Sequence, residues 1–313
     1  MTEPGRVFQI LALDGGGLKG LFSAAVLAEL EQDLGVRLAD HFDLIAGTST
    51  GALIALALGA GLSPAEVVEF YADKGPSIFP ARRGGGLRQA FRSKHDPGPL
   101  RAALTEVLGE RLLGESGKRL VIPAWSLDEA DVYVFKTPHH PRLRRDGKET
   151  MVDVAMATTA APTFLPASRL RNHRLVDGGM WANNPALVGV TEAVSMLGAE
   201  LPAIRVLSLG TTDPVKASSR RLDRGGLAQW GRPISQVLLR AQALGHLHAV
   251  EHLVGRNNVV RIDAHVEDGQ FQLDRLDEGS VRGLAEGVAR RWSPAVEPFT
   301  VHTAPPWAAP PVP

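Results

Sequence analysis

From Leu44 to Ala65 the chain carries no charged residue, and this stretch constrains the fold more than any other feature. It is long enough for a transmembrane helix, but four glycines and the hydroxyl run Thr48–Thr50 interrupt it. A strand, a tight turn and a buried helix explain the same residues without a membrane. We therefore expect a strand over Phe42–Ala46, a turn at Gly47–Gly51 and a helix over Ala52–Leu58.

Strand-like and helix-like segments alternate over most of the chain. Val7–Leu13 is a short apolar run typical of a buried strand, and Leu21–Leu34 has leucines at helical spacing. Later strands are predicted at Leu120–Ala124, Asp131–Lys136, Leu175–Val176, Ala203–Leu209 and Val259–Ile262, and later helices at Leu100–Leu113, Val152–Ala161, Asn184–Leu197 and Val237–Val254. This alternation predicts an α/β fold with a mainly parallel central sheet and helices on both faces. Such sheets bind ligands at the carboxyl ends of their strands.

The domain organisation follows from length and from the distribution of proline. We predict one domain over residues 1–292 of the 313, with its core motifs between residues 7 and 210. Seven of the last twenty residues are proline, so the tail, residues 293–313, is expected to be extended or disordered.

The formal charge is balanced overall, with 34 basic and 34 acidic residues, but it is unevenly distributed. Residues 1–80 hold 4 basic and 10 acidic residues, whereas residues 81–148 hold 14 basic and 8 acidic ones, a net charge of +6. The balance argues against a partner such as DNA or RNA polymer. The basic surface segment 81–148 is either a solvated face or a site for an anionic partner.

Cysteine is absent, which excludes disulfides, cysteine nucleophiles and cysteine-ligated metals. The first ten residues show no apolar core of signal-peptide length. The expected compartment is the cytoplasm.

The most informative motif is Gly47-Thr48-Ser49-Thr50-Gly51, a G-x-S-x-G pattern between an apolar strand and an apolar helix. In a nucleophile elbow, small flanking residues allow a strained turn to lift the serine hydroxyl above the sheet. The following helix directs its N-terminus towards developing negative charge. This context favours Ser49 as a nucleophile over a plain strand-to-helix turn.

A second motif, Asp14-Gly15-Gly16-Gly17-Leu18-Lys19-Gly20, follows the first predicted strand. Backbone N–H groups of such a run can approach an oxyanion closely, because glycine has no side chain in the way. The same residues also satisfy the dinucleotide pattern G-x-G-x-x-G. That alternative expects an acidic residue at the end of the next strand. Phe42–Ala46 ends in the serine motif instead, which argues against a nucleotide-binding domain.

A third motif, Asp177-Gly178-Gly179, follows a short apolar strand and supplies a candidate base. A catalytic triad would require a histidine, but most of the ten histidines fall in loops or on the predicted helix that carries His246, His248 and His252. The last group has metal-like spacing without an acidic third ligand. An aspartate flanked by glycines after a short apolar strand can approach a serine closely, so Asp177 could act as a base itself, without histidine.

In this order the three motifs resemble the patatin-like phospholipase family. The segment 157–166, which precedes the aspartate, is also similar to the family's pattern, and the resemblance extends over residues 7–210. It implies that Ser49 is the nucleophile, that Asp177 is its base and that Gly15, Gly16 and Gly17 form the oxyanion hole. Supporting positions implied by the resemblance are Lys19, Gly47, Gly51, Gly178 and Gly179. Lys19 departs from many members, which have arginine there; a lysine keeps the charge but loses the bidentate fork.

Within the family, the run 135–140 and the arginines after it resemble a bacterial subgroup. That subgroup includes phospholipase effectors of anti-phage defence systems that a cyclic oligonucleotide switches on. The net charge of +6 over residues 81–148 comes from two groups of basic residues, Arg82, Arg83, Arg88, Arg92 and Lys94 near one end and Arg142, Arg144, Arg145 and Lys148 near the other. Arg142, Arg144 and Arg145 are therefore candidates for binding an anion, which is either the phosphates of a nucleotide activator or an anionic membrane surface.

The function implied is a cytoplasmic serine acyl hydrolase of the phospholipase A or lysophospholipase type, acting at the inner membrane face without metal or cofactor. The expected partners are membrane phospholipid, a cyclic di- or oligonucleotide activator and further copies of the chain as a homo-oligomer. Two alternatives stay open. One is an acyltransferase that uses the same dyad, and the other is a non-catalytic ligand-binding protein.

Overall fold

The computed structural model describes residues 6–80, 93–214, 222–230, 233–266 and 277–305, together with Asp274 and Trp307. The strands are β1 Phe8–Leu13, β2 Leu44–Gly47, β3 Leu120–Ser126, β4 Asp131–Lys136, β5 Ser168–Leu170, β6 His173–Asp177, β7 Ile204–Leu209, β8 Asp213–Pro214, β9 Val259–Ile262 and β10 His265–Val266. The helices are α1 Gly20–Leu34, α2 Thr50–Gly59, α3 Pro64–Ile78, α4 Gly98–Leu108, α5 Met151–Thr158, α6 Gly179–Ala182, α7 Ala186–Ser195, α8 Leu227–Trp230, α9 Pro233–Val254 and α10 Glu278–Val296.

Eight of these strands form one sheet, in the order β5-β6-β3-β2-β1-β7-β9, with β4 on the other side of β3. The five strands β3, β2, β1, β7 and β9 are parallel. The strands β4, β5 and β6 are antiparallel to their neighbours and extend one edge. The predicted α/β architecture is therefore confirmed, and the antiparallel edge makes the sheet a mixed one.

Helices cover both faces of the sheet, as the alternation predicted. Leu11 and Leu13 of β1 face a large core formed with α1, α2, α3, α4, α5 and α10. Ile10 and Ala12, which point the other way, pack with α7 and α9. Because side chains alternate along a strand, a strand covered on both faces becomes apolar throughout. This explains why β1 reads as a continuous apolar run.

The uncharged stretch forms a strand, a turn and a helix, as expected. Its first four residues are β2, Thr48 and Ser49 form the turn, and the remainder forms α2, the turn after it and the first two residues of α3. Within the described residues, no helix has the length and apolarity that crossing a membrane requires.

The tail differs from the sequence prediction. α10 continues to Val296, a 3₁₀ turn follows at Glu297–Phe299, and Val296 and Phe299 are buried. The prediction of an extended or disordered tail is wrong for residues 293–299, because the small-residue stripe of α10 outweighs the proline content there. Phe299 packs against Phe42 with ring centroids 5.9 Å apart. Residues 306 and 308–313 lie outside the described part of the chain.

Candidate active site

The candidate site lies at the carboxyl ends of β1 and β2, which pair with Leu13 opposite Gly47. The glycine-rich turn leaves β1 and the serine turn leaves β2 at the same edge of the sheet. The two motifs are adjacent because parallel neighbours end together.

Ser49 occupies a strained turn between β2 and α2. Its backbone has φ 53° and ψ −119°, and α2 begins at the next residue. A positive φ is uncommon for a residue with a Cβ atom, and such strain is concentrated at functional sites. The Ser49 N–H donates to Thr158 Oγ1 at 3.0 Å, and Thr158 donates in turn to Pro123 O at 2.7 Å. The elbow predicted from the sequence is therefore present, and α5 holds it from outside the motif.

The glycines on either side of Ser49 allow the backbone to turn this tightly. A Cβ atom on Gly51 would lie 2.2 Å from Leu13 O, and one on Gly47 would lie 2.5 Å from Gly51 O. Both contacts involve backbone, which cannot move aside cheaply. The supporting positions Gly47 and Gly51 are thus required by the close approach of β1, β2 and α2.

Asp177 lies at the end of β6 and meets Ser49 across the sheet edge. Ser49 Oγ donates to Asp177 Oδ2 at 2.7 Å, and the Gly179 N–H donates to Asp177 Oδ1 at 2.7 Å. Gly178 lies where a Cβ atom would come within 2.2 Å of Pro123 O. The Asp-Gly-Gly sequence therefore gives the carboxylate both its backbone donor and its close packing against β3.

Both side chains of this pair are buried. Burial raises the pKa of Asp177 to about 6, while hydrogen bonds from Ser49 and Gly179 oppose the rise. A base with a pKa near the operating pH is well suited to accept a proton. The described residues include all ten histidines, and none of them hydrogen-bonds Ser49 or Asp177. The geometry is that of a serine–aspartate dyad.

The glycine-rich turn matches its expected role only in part. The Gly15 N–H already donates to Asn183 O at 3.0 Å. This N–H group is therefore engaged within the protein, whereas the resemblance implies that it binds the oxyanion. The carbonyl of Gly16 accepts from the Lys19 N–H, and that of Gly17 accepts from the Gly20 N–H. The N–H groups of Gly16 and Gly17 are thus at the start of a helical segment, where no helical partner is available to them. Their role as oxyanion donors stays a prediction.

Asp14, immediately before the glycines, is anchored by residues far along the chain. Arg261 Nη2 donates to Asp14 Oδ2 and to Asp263 Oδ2, each at 2.7 Å. Arg261 Nη1 donates to Ser208 Oγ at 2.8 Å, and that oxygen also accepts from the side-chain amide of Asn184 at 3.1 Å. One arginine therefore connects the glycine-rich turn with the loop that follows Asp177.

Lys19 lies beside this anchor, because its partner Thr212 also donates its N–H to Asp263 Oδ1. Its Nζ donates to Thr212 O at 3.0 Å and ties the end of the glycine-rich turn to the loop after β7. This bond to a backbone oxygen needs no bidentate fork, so lysine is sufficient to make it.

The basic residues singled out in the sequence do not meet the dyad. Arg142, Arg144 and Arg145 are exposed on the loop after β4. Because β4 is antiparallel to β3 and its last residue, Lys136, pairs with Val121, this loop leaves from the amino edge of the sheet. Arg82, Arg83, Arg88 and Arg92 lie outside the described residues.

Sequence reasoning assigned no role to Thr158, Asn183 or Arg261. Thr158 falls within the segment 157–166 that the family resemblance had marked, so a signal existed but gave no role. Arg261 lies 247 positions after Asp14, on a strand without a motif, and no local pattern indicated it.

A serine on a strained strand-to-helix turn, bonded to a buried aspartate at the carboxyl edge of an α/β sheet, defines the class of α/β serine hydrolases. More specifically, the chain belongs to the patatin-like phospholipase family, whose model matches residues 11–190.

Curated relatives match nearly the whole chain. A protein of Pseudomonas aeruginosa, named cGAMP-activated phospholipase, is 35% identical over 95% of this chain and 93% of its own length. A protein of the same name from Vibrio cholerae is 31% identical over 95% of this chain and 92% of its own. The crystal structure of VipD from Legionella pneumophila is 13% identical, with a TM-score of 0.53 over 95% of this chain and 67% of that one. This last likeness shows the fold alone.

Proposed function

We propose that the protein is a phospholipase that hydrolyses the acyl esters of glycerolipids by means of the Ser49–Asp177 dyad. The observation that carries this proposal is the 2.7 Å hydrogen bond from Ser49 Oγ to Asp177 Oδ2 at the strained elbow. Family membership supports the substrate class, because the family model is that of patatin-like phospholipases.

In this mechanism Ser49 Oγ attacks the ester carbonyl while Asp177 takes its proton. The carbonyl oxygen becomes an oxyanion, which the N–H groups of Gly16 and Gly17 stabilise. As the C–O bond breaks, protonated Asp177 gives its proton to the leaving alcohol, and an acyl-serine remains. Water then loses a proton to Asp177 and attacks the acyl group, after which the proton returns to Ser49 and the fatty acid leaves.

We further propose that a cyclic di- or oligonucleotide activates the enzyme. The names of the Pseudomonas and Vibrio relatives support this, and the exposed arginines Arg142, Arg144 and Arg145 offer phosphate ligands. The basic loop that carries them ends directly before α5, and α5 ends at Thr158, which holds the Ser49 N–H. A rigid helix of about two turns therefore joins the proposed activator loop to the elbow.

The start of the same loop is fixed by a buried charge cluster. Lys136 Nζ donates to Glu192 Oε2 at 2.5 Å, and His139 Nε2 lies 2.9 Å from Glu192 Oε1. Hydrogen bonds from both partners lower the pKa of Glu192, although burial opposes them. A ligand at the arginines would thus act on a loop with one end fixed and the other continuous with α5.

The enzyme is further proposed to act from the cytoplasm on the inner membrane face and to assemble as a homo-oligomer.

The test of the function is hydrolysis of a panel of phospholipids, with and without a panel of cyclic di- and oligonucleotides. Release of free fatty acid supports the hydrolase. Transfer of the acyl group to an added alcohol or thiol in preference to water would establish the acyltransferase. Turnover of no ester in either condition would favour a non-catalytic binding protein.

The activator site has a separate test. Arg142→Ala and Arg145→Ala are each expected to abolish the response to the nucleotide while Ser49 still reacts with a fluorophosphonate probe. Arg290→Ala is the matched control, because Arg290 is an exposed arginine on α10. High basal activity on a soluble ester, unchanged by every nucleotide, would leave the arginines with a membrane role only.

A further inference from the structure

Helix α9 has two apolar faces, and the described residues cover only one of them. Val250 and Val254 are buried in the core that packs on the sheet, and Leu247 is buried as well. Ile234, Val237, Leu238 and Leu244 face solvent, with 62% of Leu238 and 38–45% of the other three exposed. A surface helix ordinarily carries one apolar stripe and one polar face. The second stripe of α9 is therefore an anomaly that calls for a partner.

The exposed stripe is confined to one end of the helix. Its residues follow the i, i+3, i+4 and i+10 spacing of a single helix face. Further along the same face the positions are taken by His248 and His252, which are polar and exposed. The apolar part of this face thus occupies the N-terminal half of α9.

That half of α9 lies beside the candidate active site. The Asn183 N–H donates to Gln242 Oε1 at 2.8 Å, and Gln242 Nε2 donates to Met180 O at 3.2 Å. The Leu239 side chain lies 3.7 Å from the point where a Cβ atom on Gly179 would be. Gly179 in turn donates to Asp177. Met180 is 56% exposed and adds an apolar side chain next to the dyad loop.

Basic side chains occur at the same edge of the sheet. The hairpin that joins β5 to β6 projects beyond the carboxyl end of β3, because Leu175 pairs with Ser126. Arg169, Arg171 and Arg174 line an open cleft on this hairpin, in which Arg174 pairs with Asp128 and Arg171 pairs with Glu149. Apolar and basic side chains at one edge of the sheet suit a surface with an apolar interior and anionic headgroups.

We propose that the stripe Ile234–Leu244 and Met180 form a docking surface for an anionic phospholipid bilayer, oriented so that a lipid can leave the bilayer directly into the site. This inference rests on the proposed phospholipase function, because the dyad is buried and a bilayer lipid must be brought to it. Docking would insert the exposed side chains among the acyl chains, and the arginine cleft would face the headgroups.

The test uses the full chain with Ser49→Ala, so that lipid is bound and not consumed. Binding to vesicles of phosphatidylcholine and phosphatidylglycerol is measured by co-sedimentation, with and without the double substitution Ile234→Gln and Leu238→Gln. Loss of two half-exposed apolar side chains is expected to reduce vesicle binding about tenfold or more. Leu253→Gln is the matched control, because Leu253 is an exposed leucine of the same helix outside the stripe, and it should leave binding unchanged.

Three results would overturn the docking surface. The first is unchanged vesicle binding by the double variant. The second is a lowered melting temperature together with weaker binding, which would show that the stripe packs against protein. The third is a smaller oligomer with unchanged binding, which would show that a second copy covers the stripe. With active protein, the ratio of vesicle to soluble-ester hydrolysis should fall in the double variant. Absence of hydrolysis in the wild type both with and without the panel of cyclic nucleotides, with vesicle binding as predicted, would refute the proposed function alone.

Discussion

The turns after β1 and β2 are neighbours with similar composition, yet they are built differently. The serine turn presents one side chain and depends on its own flanking glycines, because a Cβ atom on either glycine would come within 2.2–2.5 Å of a backbone oxygen. The glycine-rich turn presents backbone groups and is held from outside, by Arg261 on β9 through Asp14 and by Asn183 O through the Gly15 N–H.

The difference follows from what each turn has to present. A side chain on a strained turn is directed by local backbone geometry, so a short motif suffices to specify it. Backbone N–H groups in a glycine run have many conformations open to them, so distant contacts must select one. The first turn is therefore sensitive to local substitutions, and the second is sensitive to substitutions far along the chain.

The largest effect is expected from Ser49→Ala, which removes the group that the first turn presents. Hydrolysis of phospholipid and of soluble esters should fall by about 10⁴-fold or more, and fluorophosphonate labelling should disappear. The melting temperature should change little, since a small side chain is replaced in an intact turn. Retention of activity by this variant would refute the mechanism.

Asp177→Asn should be nearly as damaging, with a loss of about 10³-fold or more, because Ser49 and Asp177 act as a unit. No single His→Ala substitution among the ten should approach that loss. In the wild type, activity should rise with pH through about 6, since Asp177 must be deprotonated to accept the serine proton. A histidine variant as inactive as Ser49→Ala would show a triad.

The same carboxylate makes a prediction about stability. Its folded pKa of about 6 lies above the ordinary value of 3.8, so the folded state holds its proton more tightly than the unfolded state does. The wild type should therefore lose stability relative to Asp177→Asn as the pH rises from about 4 to about 6, by up to about 3 kcal/mol. Urea unfolding of both proteins at several pH values measures this. A difference that does not depend on pH would contradict the raised pKa.

Arg261→Met tests whether the second turn depends on distant contacts. The variant removes the donor shared by Asp14, Asp263 and Ser208. Misplaced oxyanion donors should lower kcat about 100-fold with a much smaller change in KM. Arg205→Met is a control on the neighbouring strand β7 and should keep full activity. If kcat, measured per total protein, falls only as far as the fraction of folded protein falls, Arg261 merely stabilises the fold.

The features that the sequence could predict are divided in the same way, between those encoded locally and those that depend on distant contacts. The strand, turn and helix around Ser49 and the aspartate of the Asp-Gly-Gly motif were predicted because each is encoded within a few consecutive residues. Arg261 and Asn183 could not be predicted, because their roles depend on which strands become neighbours. The helical residues 293–299 were missed because composition was given more weight than the continuing stripe of Ala285, Ala289 and Val296.

The smallest expected effect concerns Thr158 on α5, whose hydroxyl oxygen accepts from the Ser49 N–H. Thr158→Val preserves shape but leaves the Ser49 N–H and Pro123 O without their hydroxyl partner. Unsatisfied buried groups of this kind destabilise a protein by about 1–3 kcal/mol, and part of that should appear as a looser elbow, with kcat about tenfold lower. Thr158→Ser keeps the hydroxyl and should restore kcat.

If α5 also transmits activation from the basic loop, Thr158→Val should reduce the fold-activation by cyclic nucleotide more than it reduces basal activity. Equal reduction of both would show that Thr158 supports the elbow without linking it to the loop.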